Sequence, residues 1–236
     1  KSETDIIGEQ FIGGFFSESY ASNIIVDNSS YNGTINSTNS FIGGLIASSS
    51  SPIDFSNSNI KSEITGNEII GGLAGVAYEN LNVNKSKIDN NISVTKNAGG
   101  LVSKPHAKVN ITNSMISGQI TGVSEFIGGV SGYNSTTDYN LNNSYVNVDI
   151  ENNSSNHMIG TLYATEYDKI GTPFNGNSFW NNDLIQYKHP DPLKTVSPYM
   201  SAGRTSSELK NPQTYISAGW DTDIWKLENG KYPILK

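Results

Sequence analysis

The sequence predicts an all-β protein: a parallel β-solenoid, or β-helix, of about six coils with 28–32 residues in each coil, followed by a small C-terminal cap. Three observations support this fold class. An apolar-Gly-Gly-apolar motif recurs at a nearly constant interval, a small polar motif follows it in constant phase, and the residue pattern changes near the C-terminal end.

The glycine motif is the first repeat signal. Successive copies are spaced by 30, 28, 28, 29 and 32 residues. The copies contain Gly13-Gly14, Gly43-Gly44, Gly71-Gly72, Gly99-Gly100, Gly128-Gly129 and, in a degenerate sixth copy, Gly160. We expect a tight corner at each pair, where one glycine supplies a positive φ and the other allows neighbouring coils to approach closely.

The second repeat signal is a polar step about 15 residues after each glycine pair. Its copies are Asn28-Ser29, Asn57-Ser58, Lys85-Ser86, Asn113-Ser114, Asn143-Ser144 and Asn177-Ser178. Apolar residues alternate around it, as in half-buried strands. The candidate inward residues are Ile53, Phe55, Ile60 and Ile64 around Ser58, and Val109, Ile111, Met115 or Ile116, and Ile120 around Ser114. We expect the stacked polar residues to form a hydrogen-bonded ladder at a second corner.

A solenoid explains these signals better than other repeat folds do. No repeat contains a stretch with helical periodicity, the spacing of leucine-rich repeats is absent, and propeller blades require about 40 residues. Coils of a solenoid stack roughly 4.8 Å apart. Equivalent residues such as Ile42, Ile70, Ala98 and Ile127 should therefore form an apolar ladder that no single coil could bury.

The chain divides into residues 1–186, which contain the repeats, and residues 187–236, which contain an irregular connection and a cap with Trp220 and Trp225. Thr205-Ser206-Ser207-Glu208 has the pattern of a capping box and predicts a short helix. The segment 219–235 predicts a compact hairpin. We expect one of these two indoles to cover apolar side chains of the sixth coil, and we expect the first coil to be uncapped, as in a piece of a longer protein.

Composition excludes several classes of function. The net charge is -7 and the 15 Lys and Arg residues are scattered, so the chain offers no basic stripe for phosphates and we predict no nucleic-acid partner. No apolar run is long enough to insert into a membrane. There are no cysteines, and His106, His157 and His189 occupy different phases of the repeat. We therefore predict no disulfide, metal site or cofactor.

Tyrosines are the candidate ligand-facing residues. They follow the glycine corners in several coils, and tyrosine is enriched at interfaces. The candidates are Tyr20, Tyr78, Tyr133, Tyr139 and Tyr163, with Tyr167 beside them. Ordinary packing of these rings over a corner is the alternative. Asp221-Thr222-Asp223 could contribute oxygen ligands to calcium, but without a full ligand set it is more typical of a turn.

The repeats and the tail together resemble GLUG-repeat proteins. The resemblance lies in Ile70-Gly71-Gly72-Leu73, in the Asn-Ser step about 15 residues after it, and in the tail from Gly219-Trp220-Asp221 to Tyr232-Pro233-Ile234-Leu235. It covers about residues 5–236 and implies a module of a large bacterial surface protein, either an adhesin or the non-catalytic region of an IgA1-protease-type zinc metallopeptidase. The sequence departs from the usual Gly-Gly-Leu-Val-Gly pattern, because only two copies keep the third glycine.

The resemblance implies an extracellular, cell-surface or cell-wall location, and a surface protein or glycan of a host or neighbouring cell as the partner. We predict a non-catalytic adhesion or spacer module. One alternative is a substrate-recruiting domain of a surface metallopeptidase. The other is a polysaccharide-active β-helix enzyme, which would require clustered carboxylates on one outer face. The acidic residues occupy different phases: Asp54, Glu63, Glu79, Asp89, Asp138 and Asp149.

Overall fold

The structure is a computed structural model that describes residues 2–38, 41–122, 125–133, 138–152, 158–160, 163–164, 177–184 and 202–236. It confirms the predicted parallel β-solenoid. Each complete coil consists of four short strands, and each strand pairs in parallel with its equivalents in the coils before and after it.

The strands follow one another in a fixed order around the coil. The first two coils contain β1 (Ser2–Gly8), β2 (Ile12–Gly13), β3 (Phe16–Ser19), β4 (Ile24–Asp27), β5 (Ser30–Ser37), β6 (Phe41–Gly43), β7 (Ile46–Ser49) and β8 (Ile53–Ser56). The third and fourth contain β9 (Asn59–Gly66), β10 (Ile69–Gly71), β11 (Ala74–Ala77), β12 (Leu81–Asn84), β13 (Lys87–Val94), β14 (Asn97–Gly99), β15 (Val102–Pro105) and β16 (Val109–Thr112). The remaining solenoid strands are β17 (Met115–Gly122), β18 (Phe126–Gly128), β19 (Ser131–Tyr133), β20 (Tyr139–Asn142), β21 (Tyr145–Asn152), β22 (Met158–Gly160), β23 (Tyr163–Ala164), β24 (Phe179–Asn181) and β25 (Gly203–Arg204).

Four parallel sheets form the walls of the solenoid. Sheet A contains β1, β5, β9, β13, β17, β21, β24 and β25; sheet B contains β2, β6, β10, β14, β18 and β22; sheet C contains β3, β7, β11, β15, β19 and β23; and sheet D contains β4, β8, β12, β16 and β20. The register confirms the predicted ladder, because Ile70 pairs with both Ile42 and Ala98, and Ala98 pairs with Ile127.

The inward side chains of all four sheets form one continuous core. Ile53, Phe55, Ile60 and Ile64 are buried in it as predicted. Ile116 also points inward, whereas Met115 lies on the outer side of sheet A. Asn90 is a buried polar residue in this core; its amide donates to the Gly72 carbonyl at 2.9 Å and its oxygen accepts from the Ser62 backbone N–H at 2.9 Å.

The Asn-Ser step forms the corner between sheets D and A, and it carries the predicted ladder. The Ser58 backbone N–H donates to the Ser86 hydroxyl at 3.1 Å, and the Ser86 N–H donates to the Ser114 hydroxyl at 3.1 Å. In the first five copies, the residue before the serine has a positive φ: Asn28 (49°), Asn57 (46°), Lys85 (46°), Asn113 (49°) and Asn143 (46°). Asparagine tolerates this conformation better than most residues, which explains its recurrence.

The glycine pair forms the corner between sheets B and C, as predicted, but the predicted positive φ is wrong. None of these paired glycines is among the described residues with positive φ. Glycine is required by close approach instead: a Cβ on Gly71 would lie 1.8 Å from the Ala74 carbonyl oxygen, and one on Gly44 would lie 2.2 Å from the Gly72 oxygen. Close approach also explains the third glycine of the motif, since a Cβ on Gly75 would lie 2.5 Å from the Ala47 carbonyl oxygen.

The C-terminal segment contains α1 (Ser206–Leu209), α2 (Pro212–Ile216), β26 (Trp225–Lys226) and β27 (Ile234–Leu235). The capping box is confirmed, because the Thr205 hydroxyl accepts from the Glu208 N–H and the Glu208 carboxylate accepts from the Thr205 N–H. The hairpin is confirmed by antiparallel pairing of β26 with β27. Helix α2 was not predicted. The predicted boundary at residues 186–187 lies outside the described residues.

The C-terminal segment packs on the flank of the solenoid rather than across its end. Trp220 and Trp225 join Tyr145 and Phe179 in one buried cluster. Phe179 belongs to the sixth coil, because it follows the sixth Asn-Ser step. The Trp220 and Phe179 ring centroids are 6.2 Å apart, so an indole covers a side chain of the sixth coil, as predicted. Tyr145 and Phe179, however, lie on the outer side of sheet A, since their neighbours Val146 and Trp180 belong to the core.

The first coil is less buried than the second. Phe15 and Phe16 occupy positions whose equivalents in the second coil, Leu45 and Ile46, are fully buried. In the first coil these two rings remain 42% and 43% exposed. The difference shows how much burial each coil gains from the coil stacked on it.

Candidate functional site

Tyr20 and Tyr78 lie in one exposed column along the edge between sheets C and D. The preceding residues are in register, because Ser49 pairs with both Ser19 and Ala77, and Ala77 pairs with Pro105. The column therefore reads Tyr20, Ser50, Tyr78 and His106 in successive coils. Tyr20 is 78% exposed and Tyr78 is 49% exposed.

His106 completes an aromatic platform in this column. Its ring stacks on the Tyr78 ring with centroids 4.8 Å apart and planes 17° from parallel. Partial burial, and secondarily the Lys104 ammonium, lower the pKa of His106, so the ring is neutral at pH 7. The Tyr20 hydroxyl donates to the Glu18 carboxylate at 3.3 Å, and this carboxylate raises the pKa of Tyr20.

Tyr133 lies beside this platform on the outer side of sheet C. The Lys104 ammonium lies over the Tyr133 ring, 5.4 Å from its centroid, in a cation–π arrangement. The ring also packs edge-on against Phe126, with centroids 5.1 Å apart. Tyr133 is half-buried. It borders the exposed edge and extends its aromatic surface toward sheet B.

The assignment of Tyr139 as ligand-facing is wrong. Tyr139 pairs with Val109 in sheet D and is buried in the core, where its hydroxyl lies 2.6 Å from the Ser131 hydroxyl. The ring replaces an aliphatic side chain, and the neighbouring serine satisfies its polar end. The side chain of Tyr163 and the whole of Tyr167 lie outside the described residues.

The outer face of sheet A has a shallow polar depression of about 500 Å³, which sequence reasoning missed. Glu63, Asp89 and Lys61 line it, so two of the acidic residues that were predicted to scatter lie together. Asp89 is held by an ion pair with Lys87 at 2.8 Å and by the Ser117 hydroxyl at 2.8 Å. Partial burial opposes these interactions, but they keep the pKa of Asp89 below its usual range.

The acidic residues Asp54 and Asp138 have structural partners. The Asp54 carboxylate accepts from the Asn82 amide at 2.8 Å, and the Asn82 oxygen accepts from the Asn110 amide at 2.8 Å. These three side chains form an amide ladder on the outer face of sheet D. Asp138 pairs with Lys108 at 3.6 Å.

A larger groove separates the C-terminal segment from the corner between sheets D and A. Its volume is about 640 Å³. One wall carries Asn28, Asn57, Asn59, Lys85, Lys87 and Met115 from successive coils; the C-terminal segment supplies Asp223, Ile224, Ile234, Leu235 and Lys236. Sequence reasoning missed this groove because the repeat places one wall and the tail supplies the other.

Within the described part of the chain, no group of three His, Cys, Asp or Glu side chains could hold a metal ion. Asp221-Thr222-Asp223 forms a turn, in which the Asp221 carboxylate accepts from the Asp223 backbone N–H at 2.8 Å. In the same described ranges, no helix is long and apolar enough to cross a membrane.

Comparison with known proteins adds no family assignment. The sequence matches no family model and no curated protein sequence.

Proposed function

We propose that the chain is a non-catalytic module of a large bacterial surface protein and that it acts in adhesion by binding a glycan along the edge between sheets C and D. The observation that carries this proposal is the column of Tyr20, Tyr78 and His106, whose rings lie on one straight, exposed edge. The resemblance of the repeats and the tail to GLUG-repeat surface proteins supports the extracellular location.

A glycan fits this edge better than a protein does. The column spans three coil steps, roughly 14 Å at ~4.8 Å per step. A stable protein interface buries about 800 Å² on each partner, which is broader than one row of rings. Aromatic faces suit the apolar faces of sugar rings. The exposed polar side chains beside them, Glu18, Ser50 and Glu79, suit the hydroxyls.

A glycan array followed by titration calorimetry tests the proposal. Binding should be lost in Tyr78→Ser and kept in Tyr78→Phe, because the ring face rather than the hydroxyl makes the contact. Tyr139→Phe is the matched control, since this tyrosine is buried away from the edge. An array without hits, or binding that survives Tyr78→Ser, would refute the proposed edge.

Two alternatives predict different results. An accessory domain of a metallopeptidase should bind that enzyme's protein substrate and leave the glycan array empty. A polysaccharide-active enzyme should release reducing ends from a glycan, and this activity should depend on Glu63 or Asp89 in the depression on sheet A. The ion pair of Asp89 with Lys87 favours a structural role for this carboxylate.

A further inference from the structure

The groove between the C-terminal segment and the corner of sheets D and A differs in charge from the rest of the molecule. The whole chain has a net charge of -7. Among the side chains that line the groove, Lys85, Lys87 and Lys236 are cationic and Asp223 is the acidic one. A locally cationic groove on an acidic protein selects for an anionic ligand.

Lys85 departs from the pattern of its own column. The four equivalent residues with positive φ are asparagines, and Lys85 has the same backbone conformation at a φ of 46°. A lysine pays a conformational cost there that asparagine largely avoids. A residue that is locally unfavourable, and whose side chain lines a groove, points to a role other than stability.

The Lys85 ammonium is also available to a ligand. Lys87 is engaged with Asp89 at 2.8 Å. No salt bridge or side-chain hydrogen bond joins Lys85 to another residue in the described part of the chain, and Lys85 is exposed. Among the described residues, no carboxylate lies within ion-pair distance of its ammonium.

The remaining lining residues indicate the ligand's chemical class. Met115, Ile224 and Leu235 form an apolar surface, whereas Asn28 and Asn59 offer amides that both donate and accept hydrogen bonds. Sugar hydroxyls likewise donate and accept, and a sugar ring has an apolar face. The volume of about 640 Å³ lies within the range of small-molecule sites.

We propose that this groove binds a carboxylate-bearing saccharide. The Lys85 ammonium pairs with the carboxylate, Asn28 and Asn59 bind hydroxyls, and the apolar face of the sugar lies against Met115 and Ile224. This site is separate from the edge that carries Tyr78, so either can be correct without the other.

Lys85→Asn is the decisive variant, because it restores the residue found at the equivalent corners. The melting temperature should stay the same or rise, so a loss of binding cannot be attributed to misfolding. Calorimetry with N-acetylneuraminic acid and with glucuronic acid should show at least one of them binding, and about tenfold weaker binding to the variant. Lys61→Asn, on the outer face of sheet A, should leave the affinity unchanged.

Several results would overturn the proposal. These are no binding of either acid, equal binding of glucose and glucuronic acid, or unchanged affinity in Lys85→Asn. Equal binding of inorganic sulfate would reduce the groove to a simple anion site, and preferential binding of a hexaglutamate peptide would identify an acidic peptide as the ligand. Tyr78→Ser should not alter binding of the acids, which separates this test from that of the glycan-binding edge.

Discussion

The backbone N–H of Ser58 donates to the hydroxyl of Ser86 in the next coil at 3.1 Å, and that hydroxyl donates to the carbonyl of Asn84 at 2.8 Å. The same arrangement recurs in other coils, where Ser114 accepts from Ser86 and Ser144 accepts from Ser114. Each serine therefore satisfies a buried donor of the preceding coil and an acceptor of its own. The repeat uses serine because its hydroxyl does both.

Ser86→Ala should reduce the free energy of unfolding by about 1–3 kcal/mol, because the buried Ser58 N–H loses its acceptor. Urea denaturation followed by far-UV circular dichroism measures this change. Ser50→Ala is the control: Ser50 is exposed at the edge between sheets C and D, so its substitution should change stability by less than about 0.5 kcal/mol. Equal effects of the two substitutions would contradict a stabilising role for the ladder.

Gly71→Ala should destabilise the solenoid by about 3 kcal/mol or more, because its Cβ would lie 1.8 Å from the Ala74 carbonyl oxygen. Gly230→Ala provides the comparison. Gly230 has a φ of 76° and no atom within 4 Å of its Cβ position, so only conformational strain of about 1–2 kcal/mol applies. If Gly71→Ala is the milder substitution in thermal unfolding, close approach does not explain the glycine corner.

Two sequence patterns were sufficient to predict the core and the coils: apolar residues at alternating strand positions, such as Ile60 and Ile64, and recurring glycine pairs such as Gly71-Gly72. They were sufficient because stacking places each local pattern at the same position in every coil. The reason for the glycines was not predictable, since it lies in the detailed backbone path: Gly71 approaches Ala74 in its own corner, and Gly44 approaches Gly72 in the next coil. Tyr139 was assigned to the surface because it was considered within its own coil alone. Alignment with Val109, the equivalent residue of the preceding coil, would have marked Tyr139 as inward-facing.

The sequence contained a pattern that could have predicted the position of the C-terminal segment on the flank of the solenoid. The outward position just after the Asn-Ser step changes along the chain from Asn59 and Lys87 to Met115, Tyr145 and Phe179. Successive apolar residues on an outer face indicate that something covers it. The groove had no comparable signal, because its chemistry arises only when the tail approaches the corner.

Acid should lower the free energy of unfolding by protonating Asp89 on the outer face of sheet A. Burial raises the pKa of Asp89, but the hydrogen bonds from Lys87 and Ser117 and the charges of Lys87 and Lys61 together outweigh burial, so its pKa is lowered in the folded state. The unfolded chain therefore binds the proton first, at about pH 3.9, and the stabilisation present above that pH is lost as the pH falls further. The free-energy difference between the native sequence and Asp89→Asn should shrink between about pH 5 and pH 2.

Asp149→Asn is the control for this acid dependence. Asp149 lies on the same outer face, in the strand β21, and no ion pair is found for it among the described residues. Its substitution should leave the acid limb of the stability profile unchanged. A difference between Asp89→Asn and the native sequence that is constant with pH would show that the carboxylate is not responsible.

Two buried indoles of the C-terminal segment differ in their hydrogen bonds. The Trp220 Nε1–H donates to the Asn177 carbonyl at 2.7 Å, whereas the Trp225 Nε1–H is buried and has no acceptor in the described ranges. Trp→Phe removes a similar volume at both positions. Trp220→Phe should therefore cost about 1–3 kcal/mol more than Trp225→Phe, because it also leaves the carbonyl unpaired. Chemical denaturation of the two variants measures the difference directly, and a reversed order would show that packing dominates.

Removal of residues 205–236 should produce a solenoid that self-associates. The segment covers Tyr145 and Phe179, which are 1% and 2% exposed although they lie on the outer side of sheet A. Without it, two large aromatic rings and Met115 would form a continuous apolar patch on that face. Sedimentation velocity should detect oligomers, while the far-UV β spectrum of the solenoid persists.

A second variant of the truncated chain tests which surface the C-terminal segment protects. Tyr145→Thr with Phe179→Thr, introduced into the truncated chain, should restore the monomer, because threonine is polar enough for a solvated face and suits a β-strand. A cap across the open end of the core would give a different result, since these two substitutions would leave the core's cross-section exposed and the chain would still associate. A truncated chain that is monomeric without the substitutions would show that the segment folds as an independent unit and protects nothing.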